Sequence, residues 1–221
     1  MTDQWTGAGI FESYASFVKT IEGDAQSETE RVLDITFGAI DVVASTVALV
    51  VDPIGTLLAA GIDCIEHGTG LTEAHIEQMV AGGVALVPTV LQTDKFTGFA
   101  EAGRDKFPAY AATMERLHAR RREVLMAAHD AGVALYVGSD GGGSARHGVF
   151  HEEILAMAQM GLSNEYVLGA ASWRARAWLG WNPGLDEGDP ADFVVYPRNP
   201  VEDLSVLREP SAVVLRGRIW S

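Results

Sequence analysis

Apolar residues along this chain fall in short unbroken runs. Each run is closed by glycine, proline or a charged residue and is then followed by a helical pattern. The clearest is VALYV at residues 133–137, which ends in Gly138-Ser139-Asp140 and further glycines before a helical pattern from about Gly148. An apolar run without alternation, stopped by glycines, predicts a strand buried on both faces that feeds a loop and then a helix. The same texture predicts strands at 46–51, 62–66 and 84–87 and, less clearly, at 16–21. Helices are predicted at 27–43, with acidic residues in the first turn where they suit the helix dipole, and after Asp52-Pro53, closed by Gly61. Further helices are expected at 72–81 with Thr72 as cap, at 108–131, at 148–160 and at 163–179. Residues 1–15 and 91–107 lack a period and read as loops, the second as a lid over the strand ends.

From residue 46 to 179 the order is strand, loop, helix, repeated. That alternation implies right-handed crossovers and a parallel sheet or barrel, an α/β fold. After Gly180 the pattern changes. Residues 182–189 form a Gly/Pro/Asp linker, and 192–196 and 212–216 read as two strands with no crossover helix, joined by an acidic connection holding one short helical turn. The expected division is therefore 1–181 and 182–221.

Composition narrows the classes of partner. Of the 221 residues, 48% are hydrophobic and 21% charged, a globular balance. The formal net charge of −14 argues against nucleic acid and against an anionic membrane surface. Cys64 is the sole cysteine, so no intrachain disulfide is possible. The N-terminus has neither a basic segment nor an apolar run of secretory type, and the most apolar stretch, 39–51, is too short to span a bilayer. A cytoplasmic protein is expected.

Three predicted strand ends carry residues with chemistry: Lys19, His67 and Asp140. Imidazole and carboxylate are ligands for zinc and similar divalent ions. A carboxylate can also take a proton from metal-bound water. The plainer alternatives are that Asp140 caps a turn and that His67 is a hydrogen-bonded structural histidine. His147, directly after the glycine loop and on the same side as Asp140, either touches substrate or helps cap the next helix. His75, His118 and His129 lie within helical patterns and read as surface or packing residues, and Arg120-Arg121-Arg122 reads as a solvated face. The 141–144 loop resembles a phosphate cradle but lacks a P-loop's lysine and spacing. Ser139 lacks the spacing of a nucleophile elbow.

The segments GIDCIEHGTGL (61–71), GVALYVGSDG (132–141) and ADFVVYPRNPVEDLSVLREPSAVVLRG (191–217), in this order and spacing, resemble the amidohydrolase superfamily. Within it they are most similar to the branch of imidazolonepropionase and dipeptidase-like enzymes. The resemblance implies a metal-dependent hydrolase with a (β/α)₈ barrel and a small β-sandwich made from both chain ends. It implies His67 as the metal ligand ending barrel strand six. Asp140 becomes the ligand and base ending strand eight, and Lys19 the carbamylated bridging lysine of strand four. His147 falls where relatives carry a histidine near the substrate. The implied cofactor is a divalent metal, most plausibly zinc, and the implied substrate a small amide, cyclic amide or peptide-like molecule.

The departures are equally specific. No two histidines are separated by a single residue, so the family's strand-one His-x-His pair has no counterpart, and residues 45–51 lack the strand-five histidine. What remains resembles the last five strand–helix units of a barrel plus the closing piece of the sandwich. The expectation is a partial TIM barrel with impaired chemistry, needing another copy of itself or a complementing N-terminal segment. A truncated non-catalytic paralogue serving as an interaction module and an anion-binding α/β domain are the alternatives.

Overall fold

The computed structural model describes residues 52–142 and 146–220. The expected strands at 16–21 and 46–51, the helix at 27–43, Lys19 and residues 143 and 144 of the 141–144 loop lie outside the described residues. In chain order the elements are α1 (Pro53–Ala59), β1 (Cys64–Glu66), α2 (Glu73–Gly82), β2 (Ala85–Val87), α3 (Val90–Thr93), α4 (Phe96–Gly103) and α5 (Pro108–Ala131). They continue with α6 (Phe150–Gln159), α7 (Asn164–Ala171), α8 (Trp173–Trp178), β3 (Phe193–Val195), a 3₁₀ turn (Leu204–Arg208), β4 (Ala212–Leu215) and β5 (Arg218–Trp220). The described residues fall into two compact units, 52–62 with 96–119, and 63–95 with 120–220.

In the first unit α1 starts as the sequence predicts. Asp52 caps it, its Oδ1 accepting the Gly55 N–H at 2.9 Å, and Pro53 takes the first position, where no N–H is needed. Residues 91–107, expected as an irregular loop, instead form α3 and α4. In α4 the stripe Phe96, Ala100 and Gly103 recurs at helical spacing. Ala100 is fully buried with Ala111 and Met114 of α5, and Phe96, Tyr110 and Leu117 pack around them.

The second unit holds the parallel sheet. β1 and β2 pair in the register Cys64↔Ala85, Ile65↔Leu86 and Glu66↔Val87. On the other side of β2, Leu86 N–H donates to Ala134 O at 2.9 Å and Tyr136 N–H donates to Leu86 O at 3.0 Å. This is a single parallel bridge, Leu86↔Leu135, where a strand over 133–137 is predicted. The order β1, β2, 134–136 therefore runs parallel throughout, with α2 as the first crossover. Leu71, Met79, Leu86, Leu135, Met157 and Val167 form the fully buried core on this sheet. Helix α2 shows a reciprocal cap: Thr72 Oγ1 accepts the His75 N–H at 3.3 Å and His75 Nδ1 accepts the Thr72 N–H at 3.2 Å. His75 is a buried capping residue, within the packing role expected of it.

Two further differences have local causes. The helix expected over 163–179 is broken into α7 and α8 at Ser172, whose backbone leaves the helical region and whose Oγ donates to Leu168 O. The tail holds three strands, not two. β3–β4 and β4–β5 are antiparallel, with Arg216 and Gly217 both at positive φ in the tight turn that brings β5 back. No helix of the described residues is long and apolar enough to cross a membrane.

Gly138 follows the third parallel segment, and a Cβ placed there would lie 2.6 Å from Val87 Cγ1. Val87 is a stiff β-branched residue at the end of β2, so it cannot yield by a simple rotamer change. Gly138→Ala should therefore destabilise the chain by about 1–3 kcal/mol, read as a lowered urea midpoint. An unchanged midpoint would mean that the two strand ends are not packed as described.

Candidate active site at the strand ends

His67 is the first residue beyond β1, Thr89 lies two beyond β2, and Asp140 follows the 134–136 segment. Because the three segments are parallel neighbours, all three residues emerge at the same, carboxyl end of the sheet. Four non-glycine residues among those described have positive φ, and three are these: His67 at 62°, Thr89 at 43° and Asp140 at 48°. Left-handed backbone disfavours residues with a Cβ, β-branched threonine most of all. Its concentration at three adjacent strand ends marks a place where side-chain direction is imposed by the surroundings. Gly68 extends the turn after His67 at φ 65°, with Leu86 Cδ1 only 2.5 Å from where a Cβ would sit.

The orientation of His67 is fixed by two bonds. Its N–H donates to Val87 O at 2.9 Å, tying the turn to β2. Its Nδ1 lies 2.5 Å from Thr89 Oγ1, while the Thr89 hydroxyl donates to Pro88 O at 2.9 Å. A hydroxyl has one proton. With that proton committed to Pro88, Thr89 Oγ1 accepts from His67 Nδ1–H, and Nε2 is left with its lone pair. This is the tautomer a histidine ligand needs, with the second nitrogen held by an acceptor.

Electrostatics join the strand ends. Burial lowers the His67 pKa below the usual imidazole value, and the Asp140 carboxylate pulls it partly back. Burial raises the Glu66 carboxyl, and the charge of Asp140 raises it further. His67 is therefore neutral at pH 7, and Glu66 and Asp140 repel one another across the sheet end. His147 is exposed, and its ring lies over the glycines that follow Asp140: a Cβ on Gly142 would meet its Cε1 at 3.1 Å and Nε2 at 3.3 Å. The glycines thus let His147 approach the Asp140 loop. Arg121, expected on a solvated face, is half-buried and donates from Nε to Asp94 at 2.7 Å, tying α5 to the end of α3.

The residues present were tested against a bound metal by their donors. Among the described residues no three His, Cys, Asp or Glu side chains form a group able to hold an ion. His67 Nε2 and the Asp140 carboxylate are suitable in chemistry, but two ligands fall short of the three or four that protein zinc sites use. The described residues do not make a complete metal site.

Sequence reasoning missed three participants. Thr89 was signalled only as the end of a Pro-Thr pair. Glu66 was hidden by its place in a strand. Glu153 is completely buried, and its carboxylate accepts the N–H groups of Val90 at 2.5 Å and Leu91 at 2.9 Å. Burial pushes the Glu153 pKa up to about 7, and the two N–H bonds only partly offset it.

Parallel strands whose histidine and aspartate leave the carboxyl end together are the arrangement of α/β proteins, open or barrel, that place their sites at that end. Residues 54–220 match the Amidohydrolase family, and the chain belongs to that family. An uncharacterized protein of Mycobacterium bovis and one of Mycobacterium tuberculosis are each 44% identical over 169 residues, covering 76% of this chain and 45% of theirs. A Xaa-Pro dipeptidase with bound methionine superposes with a TM-score of 0.68 at 22% identity, over 76% of this chain and 42% of that one. A prolidase complexed with N-methylphosphonate-L-proline gives 0.64 at 28%, over 76% and 42%. A prolidase-like protein of Bifidobacterium longum gives 0.65 at 26%, over 76% and 44%. The fold is thus part of an amidohydrolase TIM barrel, and the chain spans less than half the length of the relatives it matches.

Proposed function

We propose that this chain carries one half of an amidohydrolase active site, acting on a C–N bond of an amide, cyclic amide or peptide-like substrate. The observation that carries this reading is the common placement of His67 and Asp140, both in left-handed turns, at one end of a parallel sheet. The family match and the prolidase likeness favour a peptide-type bond. Asp140 is the base: its carboxylate takes a proton from the attacking water as the water oxygen bonds to the carbonyl carbon. The same proton passes to the leaving nitrogen as the C–N bond breaks. His67 presents Nε2 as a ligand, and His147 faces substrate from the loop after Asp140.

Family members are in general metal-dependent, and zinc is the ion that an imidazole and a carboxylate suit. With two described ligands the chain alone should bind zinc weakly, and Asp140→Asn and His67→Ala should weaken it further. Titration calorimetry on the purified chain checks this. One tightly held zinc per chain would contradict it and point to His147 or Lys19 as an added ligand. The remaining ligands are then to be supplied from outside the described residues, either by the segment bearing Lys19 or by a complementing N-terminal half. The same reading divides the chain into a barrel part, 1–181, and C-terminal sandwich strands, 182–221.

The test of function is hydrolysis of a dipeptide ending in proline by the chain together with an N-terminal amidohydrolase segment. Asp140→Asn should lower turnover on the order of a hundred- to ten-thousand-fold, the usual worth of a general base. Full activity of that variant would remove Asp140 from the reaction. Absence of turnover in every combination would favour a non-catalytic relative.

A further inference from the structure

Helix α3 begins at the end of β2 without a cap of its own. Its N-cap residue is Thr89, and threonine in that position ordinarily turns its hydroxyl to accept the second or third N–H of the helix. Here it makes no such bond. Its hydroxyl is engaged elsewhere, donating to Pro88 O and lying 2.5 Å from His67 Nδ1. The first two N–H groups of the helix, those of Val90 and Leu91, both go to Glu153, and the second is one that a capping Thr89 hydroxyl would take. Glu153 reaches them from the first turn of α6, 63 and 62 residues further along the chain. It is fully buried, and both oxygens are used. Two devices therefore compete for the Leu91 N–H, a local hydroxyl and a distant carboxylate, and the carboxylate holds it.

We propose that Glu153 is a positioning residue for His67: by capping α3 in place of Thr89, it frees the Thr89 hydroxyl to hold His67 Nδ1–H and so keeps Nε2 open at the strand end. This presupposes His67 as a functional side chain, the reading proposed above. A carboxyl group is required because each of its two oxygens, ionised or protonated, keeps a lone pair for one N–H. A carboxamide offers one acceptor and one donor, so Glu153→Gln places an N–H against an N–H. Thr89 then becomes the nearest acceptor, and turning to cap α3 it lets go of His67.

The test is a long-range proton–nitrogen correlation spectrum of the full chain labelled with ¹⁵N-histidine, with His67 assigned by the signals lost in His67→Ala. In the unsubstituted chain His67 should show the Nδ1–H tautomer. In Glu153→Gln, checked for folding by circular dichroism, the His67 ring nitrogens should move toward the averaged positions of free imidazole. The other five histidines should stay in place. Thr89→Val, which removes the last link alone, should reproduce the change, and the double variant should add nothing to it. An Nε2–H tautomer in the unsubstituted chain overturns the proposal whether or not any variant folds. So does an unmoved His67 in a folded Glu153→Gln protein. Zinc affinity on the same samples separates this inference from the function on which it rests. Loss of the tautomer with an affinity lowered about tenfold or more supports both. Loss of the tautomer with affinity unchanged leaves Glu153 as the positioning residue and removes the ligand role of His67.

Discussion

Expressed alone, the chain should run in size-exclusion chromatography with light scattering as an oligomer or aggregate. Co-expression with an N-terminal amidohydrolase segment should convert it into a defined complex with a cooperative melt. The reason lies in what its sheets leave uncovered. In the three-stranded tail, pairing places Val194, Val213 and Trp220 on one face and Phe193, Val214 and Ile219 on the other. Apolar side chains are exposed on both: Val194 at 43% and Trp220 at 59% on the first, Phe193 at 36% and Ile219 at 75% on the second. A sheet with one wet face alternates apolar and polar residues; this one is apolar on both. Burying such a side chain contributes roughly 1.5–3 kcal/mol, so a covering sheet would supply several kcal/mol to whatever provides it. The parallel sheet has a related need, since among the described residues β1 pairs only with β2 and the 134–136 segment makes a single bridge. Unpaired backbone at a sheet edge invites another chain.

Between the two candidates, a second copy and a complementing segment, the second fits better. The match covers 45% of the Mycobacterium bovis relative and 42% of the prolidase, so in each of them one polypeptide carries more than twice the matched length. Titrating the complementing segment into the chain distinguishes them, because a homo-oligomer would not be dispersed by it. A well-behaved monomer in the absence of any partner would defeat both and would show that residues 1–51 cover these surfaces.

Much of the scaffold is legible in the sequence because its causes are local. Asp52 and Thr72 start helices through side chains three residues from the N–H groups they serve. Pro108–Ala131 is found with the predicted bounds, set by proline at one end and glycine just past the other. His67 and Asp140 are legible as strand-end residues because the apolar runs before them are unambiguous. What escapes the sequence is held at a distance. Helix α3 looks like loop, since its capping group arrives from Glu153 in another helix. Nothing marks Glu153 among the other acidic residues near it, because its burial is decided by how α6 packs on α3. The break at Ser172 is invisible for a related reason, since a serine within a helical pattern reads as an exposed helical residue until its backbone angles are known. β5 was missed because Arg-Gly is a weaker turn signal than Asn-Gly, although it supplies the same positive-φ pair.

The second large effect expected is a pH dependence of stability that belongs to Glu153. Its carboxyl has an ordinary value of 4.5 in the unfolded chain and about 7 when folded. Burial raises it first. The Val90 and Leu91 N–H groups pull it down, and the charge of Asp94 adds a smaller upward push. Between those two values the folded chain holds a proton that the unfolded chain has released. Stability from this group is therefore complete below pH 4.5 and declines as pH rises through 7. At about 1.4 kcal/mol for each pH unit of separation, the full loss is roughly 3 kcal/mol, of which about 2 falls between about pH 5.5 and 7.5. Glu153→Met has no proton to exchange and fills the space with a side chain of similar length. It also strands the two N–H groups, at about 1–3 kcal/mol each. Urea denaturation of both proteins across this range cancels the titration of every other group. The stability of the unsubstituted chain relative to Glu153→Met should fall by about 2 kcal/mol from acid to neutral pH. Parallel pH profiles would mean that Glu153 is ionised throughout, its charge fully met by Val90, Leu91 and the first turn of α6. The two N–H bonds that cap α3 would then outweigh burial.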